Sequence, residues 1–451
     1  MGPFPGNFQY LDERLRVLQE GQCRLSIEDP NLRVIPEKGQ PLALDLGDIE
    51  VFSFGDYDLI LKLYTGKAIS LSRFGKAFQN LAHDLREAYR TRLIQCMLLL
   101  DLEEIDRFEA FVEVESPDRG FSSPAQLRLY RSNLAVIPDK ASGLQWRLND
   151  FDSLRFDEST YRLTLRSGPE RLVISKLAKR TGEFLDKLRS AVSELSDQSA
   201  KTFQGLFPFL TPEEFQSLSA LIKEGHSAPM TKIAAVNPRV EQVLMEKTVD
   251  ETLRPYFDFL RKKMAEGCDL FTGFKMIRPE EGVSLEGEPS AEQAVREPDG
   301  QAKEARQAAP DAQPGEGAEK DKMDEQVLHW FFFPLLTRQG LNVPANVLAW
   351  EAASHSGRAT YFFRITPDTA KGGVEASVES INRALLTLNF RREPIYLGYD
   401  ALLSQARYRR YAIACRRIPV LRDLRAAFIG RAIHTSPEAW QKQVVAVLSG
   451  A

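Results

Sequence analysis

The chain contains no apolar run long enough to cross a bilayer. The longest, "LIQCMLLL" ending at Leu100, falls well short of the about 20 residues that a membrane helix needs. No basic region followed by an apolar core opens the sequence, which begins "MGPFPGNFQYLDERLRVLQEG", so no secretion signal is expected and the expected location is cytoplasmic. Cysteine is scarce. Cys23, Cys96, Cys268 and Cys415 lie far apart, without a CxxC pair and without a histidine at metal-ligand spacing, which predicts buried, inert thiols and no metal site. His83, His226, His329, His355 and His434 form no HxH or HExxH pattern. A GxxxxGK[ST] phosphate loop, a GxGxxG turn after a strand and a GxSxG elbow are also missing. The carboxylate pairs Glu103/Glu104 and Glu213/Glu214 fall where helix surfaces or helix starts place acids. No reaction type is legible in these residues, so the expectation is a non-enzymatic protein with no catalytic residue and no cofactor.

What the chain does contain is an ordinary globular composition, 43% hydrophobic and 27% charged over 451 residues, enough for several domains. Its formal charge of −4 is unevenly spread. Residues 279–325 hold 14 acids and 5 bases with no aromatic side chain, a net of −9 that leaves +5 for the remainder. Rich in Pro, Gly, Ala and Glu, this segment cannot bury enough surface to offset its ordering entropy and reads as a disordered acidic linker.

A repeat organises the first half. "NLRVIP" at Asn31 to Pro36 returns as "NLAVIP" at Asn133 to Pro138, 102 residues later. At the same offset Leu42, Leu44 and Leu46 fall on Leu144, Trp146 and Leu148, and Leu61, Leu63 and Gly66 fall on Leu163, Leu165 and Gly168. The apolar positions alternate, as in strands with one buried face. Each copy ends in a helical pattern, with Phe74, Phe78, Leu81 and Leu85 in the first and Leu177, Phe184, Leu188 and Leu195 in the second. The Asn opens a turn, the Val and Ile pack, and the Pro ends the strand. Matched strands, a matched glycine turn and a matched helix indicate a tandem duplication.

Six or seven short antiparallel strands closed by one C-terminal amphipathic helix resemble the pleckstrin-homology-like superfamily. In the second copy these strands are "FEAFVEVE", "AQLRLY", "NLAVIP", "LQWRL", "FDSLRF", "YRLTLR" and "RLVISKL". The resemblance covers about residues 22–198 and implies modules that bind phosphoinositides, peptides or proteins, or act as scaffolds. Basic residues in the first strands, which phosphoinositide binding uses, are diluted here by Glu28, Asp29, Glu37 and Asp139. The first copy has no evident counterpart to "FEAFVEVE", so its edge strand must come from "GNFQYLDE" or from another chain.

The rest divides as follows. The fold class expected is α+β: module 1 with an N-terminal helix at 1–105, module 2 at 106–205, a helical connector at 206–268, and an α+β domain at 269–451 interrupted by the acidic insertion. "TPEEFQSLSALIKEG" carries Thr211 as N-cap, Pro212 at the first helical position and two acids in the first turn. "CDLFTGFKMI" reads as a strand whose sheet resumes after the insertion with "VLHWFFFPLL", "NVLAWEAAS" and "ATYFFRI", followed by the helix "VEASVESINRALLTLNF". Trp330 to Phe333 reads as a strand buried on both sides.

Residues 383–431 hold 11 Arg, no Lys and three acids, a net of +8. Arginine without lysine favours planar, two-pronged contacts to phosphates or carboxylates. The expected partner-binding residues are Arg383, Arg391, Arg392, Arg407, Arg409, Arg410, Arg416, Arg417, Tyr408 and Tyr411. A packing role, with long Arg stems covering neighbours and pairing with acids, accounts for the same residues equally well. The expected function is a protein–protein scaffold that displays tandem modules and an Arg-rich surface. The alternatives are a nucleic-acid-associated, chaperone-like factor that contacts the phosphate backbone through that surface, and a peripheral binder of anionic membranes.

Overall fold

The computed structural model describes residues 2–100, 102–116, 119–138, 143–168, 170–276, 327–336, 345–353, 359–365 and 373–450. The acidic linker expected at 279–325, together with His355 and Asp139, lies outside the described residues. The architecture is α+β, with two curled seven-stranded antiparallel sheets, a six-stranded third sheet and twelve α-helices among the described residues. No helix there is long and apolar enough to cross a membrane.

Two compact units form: Met1–Gln198 with Leu397–Asp423, and Ser199–Tyr396 with Leu424–Ala451. This departs from the four-part division expected from the sequence. Residues 397–423 join the duplicated pair, and the whole connector expected at 206–268 joins the second unit. Composition marks where a chain changes character, whereas grouping depends on which core a side chain enters.

In the first unit, strands β1 (Phe4–Leu11), β2 (Val17–Glu28), β3 (Asn31–Pro36), β4 (Leu42–Asp45), β5 (Ile49–Phe54), β6 (Asp58–Leu63) and β7 (Ala68–Ser72) lead to helix α1 (Phe78–Cys96). Strands β8 (Glu104–Ser116), β9 (Arg119–Tyr130), β10 (Asn133–Pro138), β11 (Leu144–Arg147), β12 (Ser153–Asp157), β13 (Arg162–Ser167) and β14 (Glu170–Ser175) lead to helix α2 (Thr181–Leu206). The sheets run β4-β3-β2-β1-β7-β6-β5 and β11-β10-β9-β8-β14-β13-β12, the same order displaced by seven strands. β1 pairs with both β2 and β7, as β8 does with β9 and β14, and each curled sheet covers one apolar interior. Phe8, Leu25, Leu32, Leu61 and Leu71 line that interior in the first copy, and α1 adds Phe78, Leu81 and Leu85. Phe108, Val112, Leu127, Leu165, Phe184 and Leu188 do the same in the second.

The N-terminal helix expected at the start of module 1 does not form; β1, which contains most of "GNFQYLDE", occupies that place, and it is the central strand of the sheet, paired with β2 and β7, not the edge strand expected. Pro3 and Pro5 remove helix donors, and Phe8 alternates with exposed Gln9. Gly6 completes the fit, because a Cβ there would run into the Phe74 ring.

The repeated motif starts at its Asn and ends at its Pro in both copies. Its outward face differs. Arg33 is exposed and Ile35 is 45% exposed, but their counterparts Ala135 and Ile137 are both fully buried at 0%. They join the same apolar cluster as Leu93, Ile94, Met97 and Leu99 at the end of α1, so the two copies share packed surface.

The second unit is built on a meander. Strands β15 (Ser227–Pro229), β16 (Phe271–Met276), β17 (Val327–Leu335), β18 (Val347–Ala352), β19 (Ala359–Arg364) and β20 (Phe428–Ile433) lie in sequence order, unlike the two duplicated sheets. β16 pairs with β17 from Phe271 opposite Phe332 to Met276 opposite Val327, so the sheet does resume after the acidic insertion. Helices α3 (Pro212–Leu221), α4 (Met230–Val236), α5 (Pro238–Thr248), α6 (Arg254–Lys262), α7 (Gly373–Thr387), α8 (Glu393–Tyr396), α11 (Pro419–Ala427) and α12 (Pro437–Ser449) accompany it; α11 begins in the first unit. Thr211 caps α3, as its sequence predicts, and the structure adds a full capping box with Glu214. β17 is buried along its whole length. Phe331 and Phe333 meet Phe257 of α6 at ring distances of 5.0 and 5.1 Å, while Trp330 meets Phe390 at 4.6 Å.

Candidate interaction site

The Arg-rich segment of the first unit forms two helices, α9 (Tyr399–Ser404) and α10 (Ala406–Arg417). Ala and Arg are strong helix formers, and α10 ends at Ile418, the residue before Pro419, where the helical backbone is disfavoured. Tyr408, Tyr411, Ala412 and Cys415 recur at three and four residues and are buried. That face packs where the 3-10 turn Leu46–Asp48 meets α1. Gly47 permits the approach: a Cβ there would sit 2.8 Å from the Cys96 sulfur and 3.1 Å from Ile413.

Arg417 closes this contact from the end of the helix. Its Nη1 donates to the carbonyls of Gly47 at 2.7 Å and Ile49 at 2.9 Å, and its Nη2 donates to the Tyr89 hydroxyl at 2.8 Å. The guanidinium lies over the Tyr64 and Tyr89 rings, 5.2 and 5.6 Å from their centroids. Burial opposes its charge, but the guanidinium stays protonated, with its pKa above the ordinary arginine value. Burial pushes the Tyr89 hydroxyl up, keeping it a neutral acceptor for Arg417. The same burial raises the Cys96 thiol to about 11.

A carboxylate pair anchors the neighbouring turn. Asp45, 4% exposed, accepts Arg92 Nε at 2.8 Å and Nη2 at 2.7 Å, and its Oδ1 also accepts the Gly47 amide at 2.8 Å. Arg409 Nε lies 3.4 Å from the other oxygen of Asp45. Arg416 reaches Asp48 at 3.3 Å and stacks over Tyr399. Burial, and then the adjacent Asp45 charge, hold the Asp48 carboxyl above the usual range despite Arg416.

The ten residues expected to bind a partner divide between the two units. Arg383, Arg391 and Arg392 belong to the second unit. Arg383 pairs with Glu379 at 3.5 Å, Arg391 is half-buried, and Arg392 is 9% exposed between Trp350 and Tyr361 at 5.5 and 5.9 Å. The other seven lie on α10. Arg417, Tyr408 and Tyr411 are interior, Arg416 is half-buried against Asp48, Arg410 is half-buried, and Arg407 and Arg409 are exposed near the start of the helix. Arg407 and Arg410 lie over the Tyr408 and Tyr411 rings at 4.5 and 5.2 Å.

Sequence reading missed Asp45 and Arg92, although the duplication held the signal. Asp45 falls on Arg147 at the offset of 102, and Arg92 falls on Leu195 when the helices are aligned on their 3-10 leads, Gly75–Ala77 and Ala178–Arg180. The copies diverge at the place where α10 docks on one of them.

A second polar cluster, also unseen in the sequence, lies inside the second unit. Glu351, fully buried, accepts the Thr360 hydroxyl at 2.6 Å, and Trp440 Nε1 donates to that hydroxyl oxygen at 3.0 Å. His434 Nε2 sits 3.1 Å from Thr360 Oγ1 and 3.2 Å from Glu351, with the Tyr256 ring stacked on it at 4.0 Å. Hydroxyl and carboxylate meet the same imidazole nitrogen, whereas a nucleophile relay needs them on opposite nitrogens. The cluster ties β18, β19 and α12 together. Of the cysteines, Cys23, Cys96 and Cys415 are buried free thiols, but Cys268 is only half-buried. No group of three metal-ligating side chains converges among the described residues.

No protein-family model and no curated protein matches this sequence.

Proposed function

We propose that the chain is a non-enzymatic scaffold: two pleckstrin-homology-like modules fused into one body, with the surface end of α10 presented to an acidic partner protein. The matched strand order, the shared first strand and the closing helix of each copy support the module assignment. The observation that carries the functional reading is the anchoring of α10. Arg417 and the buried face of the helix fix it to the 3-10 turn of the first copy, so Arg407, Arg409 and Arg410 stand on a rigid support. Pre-ordered guanidinium groups lose less entropy when they bind, which favours two-pronged contacts to carboxylates.

Affinity purification of the full chain, with and without nuclease and in low and high salt, tests this against the phosphate-backbone reading. The comparison variant carries Arg407→Ala, Arg409→Ala and Arg410→Ala, leaving Arg416 and Arg417 in place to hold the helix. Protein partners that survive nuclease and are lost from the variant support the scaffold. Release by nuclease, or full retention by the folded variant, removes it.

A further inference from the structure

A pocket of about 300 Å³ opens in the second unit where the ends of α2 and α5 meet the start of β17. Phe207, Val243, Leu244, Val327 and Ala353 supply apolar walls, and the polar lining comes from Lys247, Thr248, Asp250 and His329. Two of those four carry no net charge. Thr248 donates to the Leu244 carbonyl within its own helix. Burial, and then the Lys247 charge, hold His329 well below the ordinary histidine pKa, so its imidazole stays neutral. One cation and one anion remain, both exposed. Lys247 lies in the last turn of α5, where the helix field favours a cation, and no acid pairs with it among the described residues. Asp250 uses Oδ1 to accept the Thr252 hydroxyl at 2.7 Å and the Leu253 amide at 2.8 Å, which leaves Oδ2 as an acceptor at the wall. The nearby acids Glu246 and Glu251 are not part of the lining, and Glu246 accepts the Gln242 amide at 2.9 Å. A ligand with negative charge alone would meet Asp250, and one with positive charge alone would meet Lys247. A ligand with both charges meets each with its opposite.

We propose that this pocket binds a free α-amino acid with a branched or aromatic apolar side chain. The carboxylate meets Lys247, the ammonium meets Asp250 Oδ2, and the side chain lies against Phe207, Val243 and Val327. Size agrees, since the cavity holds the liquid volume of about ten water molecules and therefore a ligand of about ten non-hydrogen atoms, as leucine is. The site lies within the second unit and is independent of the surface presented by α10.

Isothermal titration of the full chain with L-leucine and with L-phenylalanine gives the first readout. Saturable binding of at least one is expected, weakened about tenfold or more for its amide, which lacks the carboxylate, and for its deaminated acid, which lacks the ammonium. Lys247→Gln should weaken the amino acid to the level of its amide, and Asp250→Asn should weaken it to the level of the deaminated acid. Asparagine keeps an oxygen for Thr252 and Leu253, so the turn is retained. Val243→Trp is a check that leaves both charges in place: it fills the cavity from its wall, so the folded variant, identified by a cooperative melting transition, should not bind. Absence of saturation by either amino acid up to about 10 mM, equal affinity for the amino acid and both analogues, or wild-type affinity in folded Val243→Trp overturns the proposal.

Discussion

Arg92 grips Asp45 through both carboxylate oxygens, with Nε 2.8 Å from Oδ1 and Nη2 2.7 Å from Oδ2, inside the first unit. Breaking one side of such a pair strands a charge in the interior, at a cost of about 3–5 kcal/mol. Asp45→Ala should therefore lower the urea midpoint of the first unit strongly. The double variant Asp45→Leu, Arg92→Leu should lose less, because it removes both charges and because the second copy already carries Leu195 in place of Arg92. Equal losses in the single and double variants would show that the two side chains are not coupled.

Arg417 satisfies two buried carbonyls and a buried hydroxyl at once. Arg417→Met takes the donor from both carbonyls and leaves the Tyr89 hydroxyl only its 3.5 Å bond to the Ile49 carbonyl, at about 1–3 kcal/mol for each group left unsatisfied. Arg417→Lys should restore little, since a compact ammonium cannot span both carbonyls and the tyrosine. Hydrogen exchange at the α10 amides reads the outcome: faster exchange confined to 406–417 in both variants is expected, and protection retained in the Lys variant contradicts the fork requirement.

The duplication supplies an internal control. Ile35 and Ile137 occupy equivalent places in strands that differ only at Arg33 and Ala135, one 45% exposed and the other 0%. Ile137→Ala should cost about 2–4 kcal/mol, as for other buried branched residues, and Ile35→Ala within about 0.5 kcal/mol. Similar losses at both sites, measured by denaturant unfolding, would mean that the interface between copies is not formed in solution.

His329 lies beside the pocket wall of the second unit, and burial, assisted by the Lys247 charge, lowers its pKa from 6.5 to about 4. The folded state resists protonation while the unfolded state does not. The stability this histidine contributes by staying neutral is therefore complete above about pH 6.5 and declines as pH falls from there toward about 4. The loss is on the order of 3 kcal/mol. His329→Phe should flatten that part of the pH–stability curve for the second unit; an unchanged slope would move the acid sensitivity to another group.

The second copy's strands and both terminal helices were legible because alternation and helical spacing act over a few neighbours, and a half-buried sheet must alternate. The capped start of α3 was readable for the same local reason, through Thr211, Pro212 and the two acids of the first turn, and the strands on either side of the acidic insertion were readable from their apolar composition. Arg92 and Asp45 were not. A charged residue on a helix reads as solvated surface unless its partner is known, and these two are 47 residues apart in the chain. The cluster of Glu351, Thr360 and His434 escaped likewise, since its members meet only when β18, β19 and the end of β20 are aligned.

The sequence by itself determined the duplication, its strand rhythm and the acidic insertion, all of which follow from composition and from periods of two and 3.6 residues. Tertiary structure alone decided that the Arg33–Ile35 side of "NLRVIP" is exposed while the matching Ala135–Ile137 side of "NLAVIP" is buried, that 397–423 packs with the duplicated pair, and that Arg417 is an anchor whereas Arg409 and Arg410 line a pocket. The reason is physical: burial and charge pairing depend on which distant surface arrives, and local sequence does not encode that arrival.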